Sequence, residues 1–337
     1  MTAGTSVLDR TSVLVTVIGE ALIDLIPGQA PLSFTASPAG SPFNVAIGLA
    51  RLGQSTALMA RLSDSAFGRM LRFRASAEGI YLGAAPRASE PTTMAVISLD
   101  DSAQPSYDFY AEGTADWGWT ADEIGMAPPA TSVLHFGSLA SWMPPGDERV
   151  LALAGAMRDR GTVLVSYDPN IRPRLLGDPG NGRRLTERAV GLAHLVKASA
   201  EDIGWLYPGW SAADVGRHWL GLGPAVVVIT ASASGADAFT TAGPPVHRPA
   251  RKVTVVDATG AGDSFTSALL SSLIGRGLHS PAALAGCTGP DLTDALDDAI
   301  LAASITCQRH GAEPPTTAEV EAARQSPADE PSAHSGT

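Results

Sequence analysis

The stretch Val253 to Ile274, VTVVDATGAGDSFTSALLSSLI, sets one carboxylate, Asp263, directly after Gly260, Ala261 and Gly262. Residues with so little side chain let a backbone bend tightly and approach a ligand closely. Val253, Thr254, Val255 and Val256 favour a strand, and Phe265, Leu269, Leu270, Leu273 and Ile274 recur at helical spacing. The pattern predicts strand, turn and helix. The first amides of a helix lack partners inside it and carry the positive end of the macrodipole, so this turn is an anion site made of backbone. Asp263 could there be a first-turn residue stabilised by the dipole, worth up to about 1 kcal/mol. Alternatively, it takes a proton from a hydroxyl while the Gly260, Ala261 and Gly262 amides hold charge developing on a transferred phosphoryl group. No lysine stands in the turn, GxxxxGK[ST] is absent, and Phe265 occupies the third glycine position of GxGxxG. The stretch is neither a P-loop nor a dinucleotide fingerprint.

Three further places carry groups with chemical potential. Asp24 is flanked by Leu22, Ile23, Leu25 and Ile26, where a carboxylate is costly unless it is paired or bonded to a ligand. From Pro38 the chain reads PAGSPFNVAIGLARLG, with Pro42 suited to a first helical turn, Val45, Ile47, Leu49 and Leu52 forming an apolar pattern, and Gly53 ending it. Asn44 then lies in the first turn, either as a helix-start residue or as a two-way hydrogen bonder for hydroxyls. After Tyr167 comes DPNIR. Asp168 and Asn170 are ordinary turn formers, whereas the rigid fork of Arg172 suits phosphate or carboxylate.

The elements that must position these groups alternate. Val13 to Ile18, Ala57 to Leu62, Val133 to Phe136, Thr162 to Tyr167, His194 to Lys197 and Ala225 to Thr230 have strand composition, and helical patterns intervene, among them Phe67 to Ala77 and Asp291 to His310. Such alternation predicts an α/β doubly wound, mainly parallel sheet, in which ligands sit beyond the strands' carboxyl ends. Thr92 to Leu99 and Ser106 to Ala111, separated by DDSAQP, predict a hairpin, and with a strand around Leu32 to Thr35 they make a small accessory sheet. Phe109, Tyr110 and Trp117 on or after it read as core or accessory-sheet packing. Met1 to Ser12 is expected to be loose and the Pro/Ser/Ala-rich Ser326 to Thr337 disordered, leaving residues 13–325 as one domain.

Composition narrows the function classes. The chain has 337 residues, 45% hydrophobic and 17% charged, ordinary for a soluble globular protein. A net charge of -11 without a basic stripe argues against nucleic acid. Cys287 and Cys307 are too few for a disulfide framework and lack metal-ligand spacing, which fits a reducing cytoplasm. The seven histidines are scattered, without HExxH, and no GxSxG occurs. Val13 to Ile18 is too short for a signal-peptide core and no stretch approaches a membrane span, so neither export nor anchoring is expected.

DATGAGDSF resembles the C-terminal signature of the ribokinase-like carbohydrate kinases, the phosphofructokinase-B family, and the likeness extends over Val13 to Val320. PAGSPFNVAIGLARLG is similar to the N-terminal signature, with Ala39 in place of the first glycine and Gly40, Asn44 and Ala46 kept. The resemblance implies a ribokinase-like fold whose accessory sheet is a lid over a sugar, closing to exclude water, with a homodimer through the lid as the assembly. It assigns Asp263 as catalytic base, Gly260, Ala261 and Gly262 as anion hole, and Asp24 of GEALIDLIP, Gly40 and Asn44 to the sugar. Arg172 falls near the reacting phosphate. ASAEDIGWL is similar to the NxxE element that organises magnesium through water, with Ser199 and Asp202 where Asn and Glu are usual. Thr230 and Gly235 fall on the nucleotide loop, where Ala231 and Ser232 depart from the usual glycine, and RHGAEP resembles the segment flanking adenine. Asp257 and Thr259 mark backbone that binds a monovalent cation, potassium, in that family.

The implied activity is transfer of the γ-phosphoryl group of MgATP to a sugar hydroxyl. GEALIDLIP, TTMAVISLDD and DPNIR look most like fructokinases, which makes fructose the expected acceptor, with 2-keto-3-deoxygluconate, ribose and nucleosides as alternatives. The rival class is a sugar- or nucleotide-binding regulator without catalysis, motivated by Ser199, Asp202 and Ala231 and opposed by the intact Asp263. An NAD-dependent dehydrogenase would need an early glycine fingerprint, which is absent.

Overall fold

Val15 and Val17 project to one side of a strand and Ile18 to the other, and all are fully buried, the mark of a strand covered on both faces. The computed structural model describes residues 13–28, 30, 32–99 and 105–325; Met1 to Ser12, the segment from Ser326 and most of DDSAQP lie outside the described residues. In chain order the strands are β1 Leu14–Ile18, β2 Leu22–Pro27, β3 Phe34–Ala39, β4 Ser55–Met59, β5 Leu62–Ser63, β6 Arg87–Ala88 and β7 Met94–Leu99. There follow β8 Pro105–Tyr110, β9 Thr131–Gly137, β10 Leu164–Asp168, β11 Leu195–Ser199, β12 Val226–Thr230, β13 Ala236–Thr240 and β14 Val246–Arg248.

The main sheet has the order β14-β13-β12-β11-β10-β9-β1-β4. It is parallel from β4 to β12, and β13 and β14 extend it antiparallel. Two apolar cores cover its faces. One holds Val15, Val17, Val226 and Val228 with the helices Ser41–Arg51, Ala261–Gly275 and Gly289–Cys307. The other holds Ile18, Phe136, Tyr167, Val227 and Ile229 with Trp219. Because the chain leaves β1 toward β4 on one side and takes β9 to β12 on the other, the order reverses between β1 and β9, opening a crevice at their carboxyl ends. A second sheet, β3-β2-β7-β8, stands over that crevice.

The doubly wound sheet and the accessory sheet are as the sequence predicts, with local differences. The strand expected over Val253 to Val256 does not form: Val255 and Val256 are exposed, and the amides of Val256 and Asp257 both donate to the Cys307 carbonyl rather than to a neighbouring strand. Ala57 to Leu62 is broken after Met59, where the main chain turns and Arg61 is drawn into the interior by Glu123, Glu90 and the Ala115 carbonyl. The strand placed around Leu32 to Thr35 lies later, at β3, and pairs with β2, which carries Asp24.

The Ala261–Gly275 helix presents Phe265, Leu269, Leu270 and Leu273 to the core it shares with Ser41–Arg51 and Gly289–Cys307. Leu270→Ala should lower stability by about 2–5 kcal/mol, read as a lower urea midpoint; an unchanged midpoint would mean that this face does not anchor the helix.

Candidate active site

Asp263 lies in the first turn of Ala261–Gly275. Its N-cap, Gly260, has a left-handed backbone with φ 74, and a Cβ at that position would fall 2.5 Å from Ala312 Cβ. Glycine is therefore required both for conformation and for space. The Ala261 amide already donates to the Ala258 carbonyl at 3.2 Å. Among the described residues the amides of Gly260 and Gly262 have no such partner, and both residues line the crevice.

A second helix start meets the first. Ser41–Arg51 begins after Gly40, whose φ of 112 brings the chain against the Glu20 carbonyl. From its first turn Ser41 Oγ donates to Asp263 Oδ1 at 2.6 Å and Asn44 Nδ2 donates to Asp263 Oδ2 at 2.8 Å. Hydrogen bonds to a charged group contribute about 1.5–3 kcal/mol each. The carboxylate is thus fixed between two helix N-termini, with one oxygen assigned to each donor. Burial nevertheless raises its pKa to about 6, against the lowering effects of Ser41, Asn44 and Lys197 and with a further rise from Asp168. Asp263 is charged at neutral pH and close enough to its midpoint to accept a proton.

The crevice gathers residues from the carboxyl ends of the central strands and from the accessory sheet. Asp24, Gly40, Asn44, Arg172, Thr259, Gly260, Gly262 and Asp263 all line it. Asp24 is pushed up to about 6 by burial, opposed by Arg172 and reinforced by Asp263. Arg172 Nη1 is held by Asn170 Oδ1 at 2.8 Å, and Asn170 in turn donates to Ser138 Oγ at 3.1 Å. Ser138 and Asn170 have φ values of 52 and 40, strain of a kind that persists where the surroundings over-determine a site.

Other predicted residues stand outside this lining. Ser199 caps the Ala200–Leu206 helix and exchanges hydrogen bonds with Asp202, and Asp202 Oδ1 accepts the Ile171 amide at 2.8 Å, securing the loop that carries Arg172. Asp257 accepts the amides of Thr259 and Gly311, each of its oxygens taking one, which ties the approach loop to the end of Gly289–Cys307. Thr230 ends β12 and donates to the Ala198 carbonyl, and Gly235 opens β13. Of the aromatics assigned to packing, Trp117 is buried and Tyr110 is exposed, but Phe109 lines the crevice beside Tyr107.

Five polar residues in the lining were not singled out from the sequence: Glu20, Ser41, Tyr107, Ser138 and Lys197. Ser41 stands inside the quoted PAGSPFN string, and its identity as a hydroxyl next to a helix start was the available signal. Glu20 is buried, accepts the Ala140 amide at 3.2 Å and is raised to about 7 by burial. Lys197 pairs with Asp168 at 2.9 Å. Among the described residues no group of His, Cys, Asp and Glu side chains could hold a metal ion on its own, and no helix is long and apolar enough to cross a membrane.

Residues 13–319 match the family described as pfkB family carbohydrate kinase. The chain is 34% identical over 258 residues to a fructokinase of Rhizobium leguminosarum bv. trifolii, spanning 76% of this chain and 78% of that one. In fold it superposes on a fructokinase of Xylella fastidiosa with bound ATP at a TM-score of 0.84 and 24% identity, covering 93% of this chain and 98% of that one. A fructokinase of Vibrio cholerae O395 with fructose, ADP and calcium bound gives 0.79 and 26%, covering 93% and 99%.

The Asp263 environment is open to direct titration. Carboxyl-carbon NMR should place its midpoint near pH 6, and Ser41→Ala should move it upward, because a hydrogen bond that favours the charged form is lost. A midpoint near that of a free aspartate, about 3.9, would contradict the burial described here.

Proposed function

We propose that this chain, which belongs to the pfkB family of carbohydrate kinases and is an ATP-dependent sugar kinase, takes fructose as its acceptor and Asp263 as its general base. The observation that carries the base assignment is the Asp263 carboxylate held by Ser41 and Asn44 beside two unpartnered helix-start amides. Fructose is supported by the identity to a fructokinase and by a lining rich in groups that bond hydroxyls, Glu20, Asp24, Asn44, Ser138 and Asn170, beneath Tyr107 and Phe109.

In the proposed step the sugar binds between Asp24, Gly40 and Asn44. Its hydroxyl proton passes to Asp263, the oxygen forms a bond to the γ-phosphorus of MgATP, and the bond from that phosphorus to the β-γ bridging oxygen breaks, giving sugar phosphate and ADP. The amides of Gly260 and Gly262 hold the equatorial charge, with Arg172 across the crevice. The amide of Ala261, engaged with Ala258, keeps the turn in shape. Both carboxylate oxygens of Asp202 accept hydrogen bonds from the chain, so it would act on the magnesium of MgATP only through water. A monovalent cation near Asp257 and Thr259 would take main-chain carbonyls, since both Asp257 oxygens are engaged. Thr230 and Gly235 belong to the proposed nucleotide side.

An ADP-release assay over fructose, 2-keto-3-deoxygluconate, ribose and nucleosides should give the highest kcat/KM for fructose. ADP release with a nucleoside alone would reassign the acceptor, and no release with any of them would make the protein a binder. Asp263→Asn should lower kcat by about two orders of magnitude or more while ATP binding is kept; near-normal turnover would remove Asp263 from the mechanism.

A further inference from the structure

Lys197 is 5% exposed, yet it lines the crevice. Among the described residues of that lining the only cations are Lys197 and Arg172, against the carboxylates of Glu20, Asp24 and Asp263. The Lys197 ammonium donates to Asp168 Oδ2 at 2.9 Å, and Thr266 Oγ1, one turn beyond Asp263, reaches the same oxygen at 3.2 Å. Asp168 is 2% exposed. A Cβ at Gly262 would stand 3.1 Å from Lys197 Nζ. The absence of a side chain there lets the first turn of Ala261–Gly275 settle onto the ammonium. A buried ion pair of this kind returns in attraction about what it takes to desolvate, so stability alone does not account for a charged lysine at this point. Its ammonium lies directly under the Gly260 to Asp263 turn.

We propose that Lys197 is a positioning residue for phosphoryl transfer: clamped by Asp168 beneath the Gly260 to Asp263 turn, its ammonium keeps the Asp263 carboxylate in the proton-accepting form. The inference rests on the kinase reading above and assigns a residue to it. The charged and titratable groups facing Asp263 are Asp24 from β2, Asp168 from β10 and Lys197 from β11, and Ser41 and Asn44 face it from Ser41–Arg51. Lys197 itself faces Asp168, Asp202 and Asp263, and His135 on β9, which burial and the nearby ammonium hold down at about 3 and therefore neutral. Lys197 lowers the Asp263 midpoint and Asp168 raises it. The two substitutions should therefore move the base in opposite directions.

The test is the pH dependence of kcat for ATP-dependent phosphorylation in the full-length protein, in four forms: wild type, Lys197→Met, Asp168→Asn and the double variant. Lys197→Met should lower kcat by about 100-fold, leave the sugar KM within a few-fold, and carry the acid limb upward by about one pH unit. Asp168→Asn should carry the acid limb downward. The double variant removes both members of the ion pair and should place the limb between those of the single variants. A purely structural lysine would alter yield and melting temperature without this pair of opposite displacements. An acid limb fixed at the wild-type position in every variant that folds overturns the inference while leaving the kinase reading intact. A wild type that transfers no phosphoryl group to any sugar overturns the kinase reading itself.

Discussion

The grip of Ser41 and Asn44 on Asp263 is the contact on which the rest of the structure depends. It joins residues that are 222 and 219 positions apart in the chain and brings two helix N-termini to one carboxylate. A carboxylate taken from water into an interior would ordinarily neutralise itself. Here two donors and two positive helix ends work against burial, and the balance leaves the group ionised at neutral pH with its midpoint at about 6. Such poise suits a group that must accept a proton and then release it.

The fold supplies the place for that contact. Reversal of strand order between β1 and β9 opens the crevice, and the segments that follow the strands fill it: Glu20 after β1, Ser138 after β9, Asn170 and Arg172 after β10. Asp24 comes from the other sheet, so the crevice is built across the gap between the two sheets. The helices that carry Ser41, Asn44 and Asp263 are packed in one core, which gives these three side chains a rigid footing.

Much of this was legible because its determinants are local. Turn glycines before an apolar helical stripe placed Asp263 at a helix start, and the runs of buried β-branched residues placed β1 and β12. What escaped was set by partners distant in sequence. Val253 to Val256 has strand composition, but composition does not form a strand when its amides are drawn to the carbonyl of Cys307. The strands β13 and β14 carry weak propensity in ADAFT and VHR and exist through pairing with the edge β12. Lys197 read as the last residue of a strand; its pairing with Asp168 on the neighbouring strand, 29 residues earlier, shows it to be a buried cation at the crevice. Ser199 and Asp202, aligned by resemblance with a magnesium element, form a capping box that also secures Ile171, a partner 31 residues from Asp202.

The central claim is that one carboxylate and a backbone cradle meet at the same phosphorus. A crystal structure of the protein with fructose, ADP, magnesium and aluminium fluoride tests it most directly. The account predicts the fluoroaluminate on the amides of Gly260 and Gly262, with a fructose hydroxyl in line behind it and about 3 Å from an Asp263 oxygen. A fluoroaluminate seated elsewhere, or an Asp263 still bonded only to Ser41 and Asn44 with no sugar oxygen in reach, would contradict it.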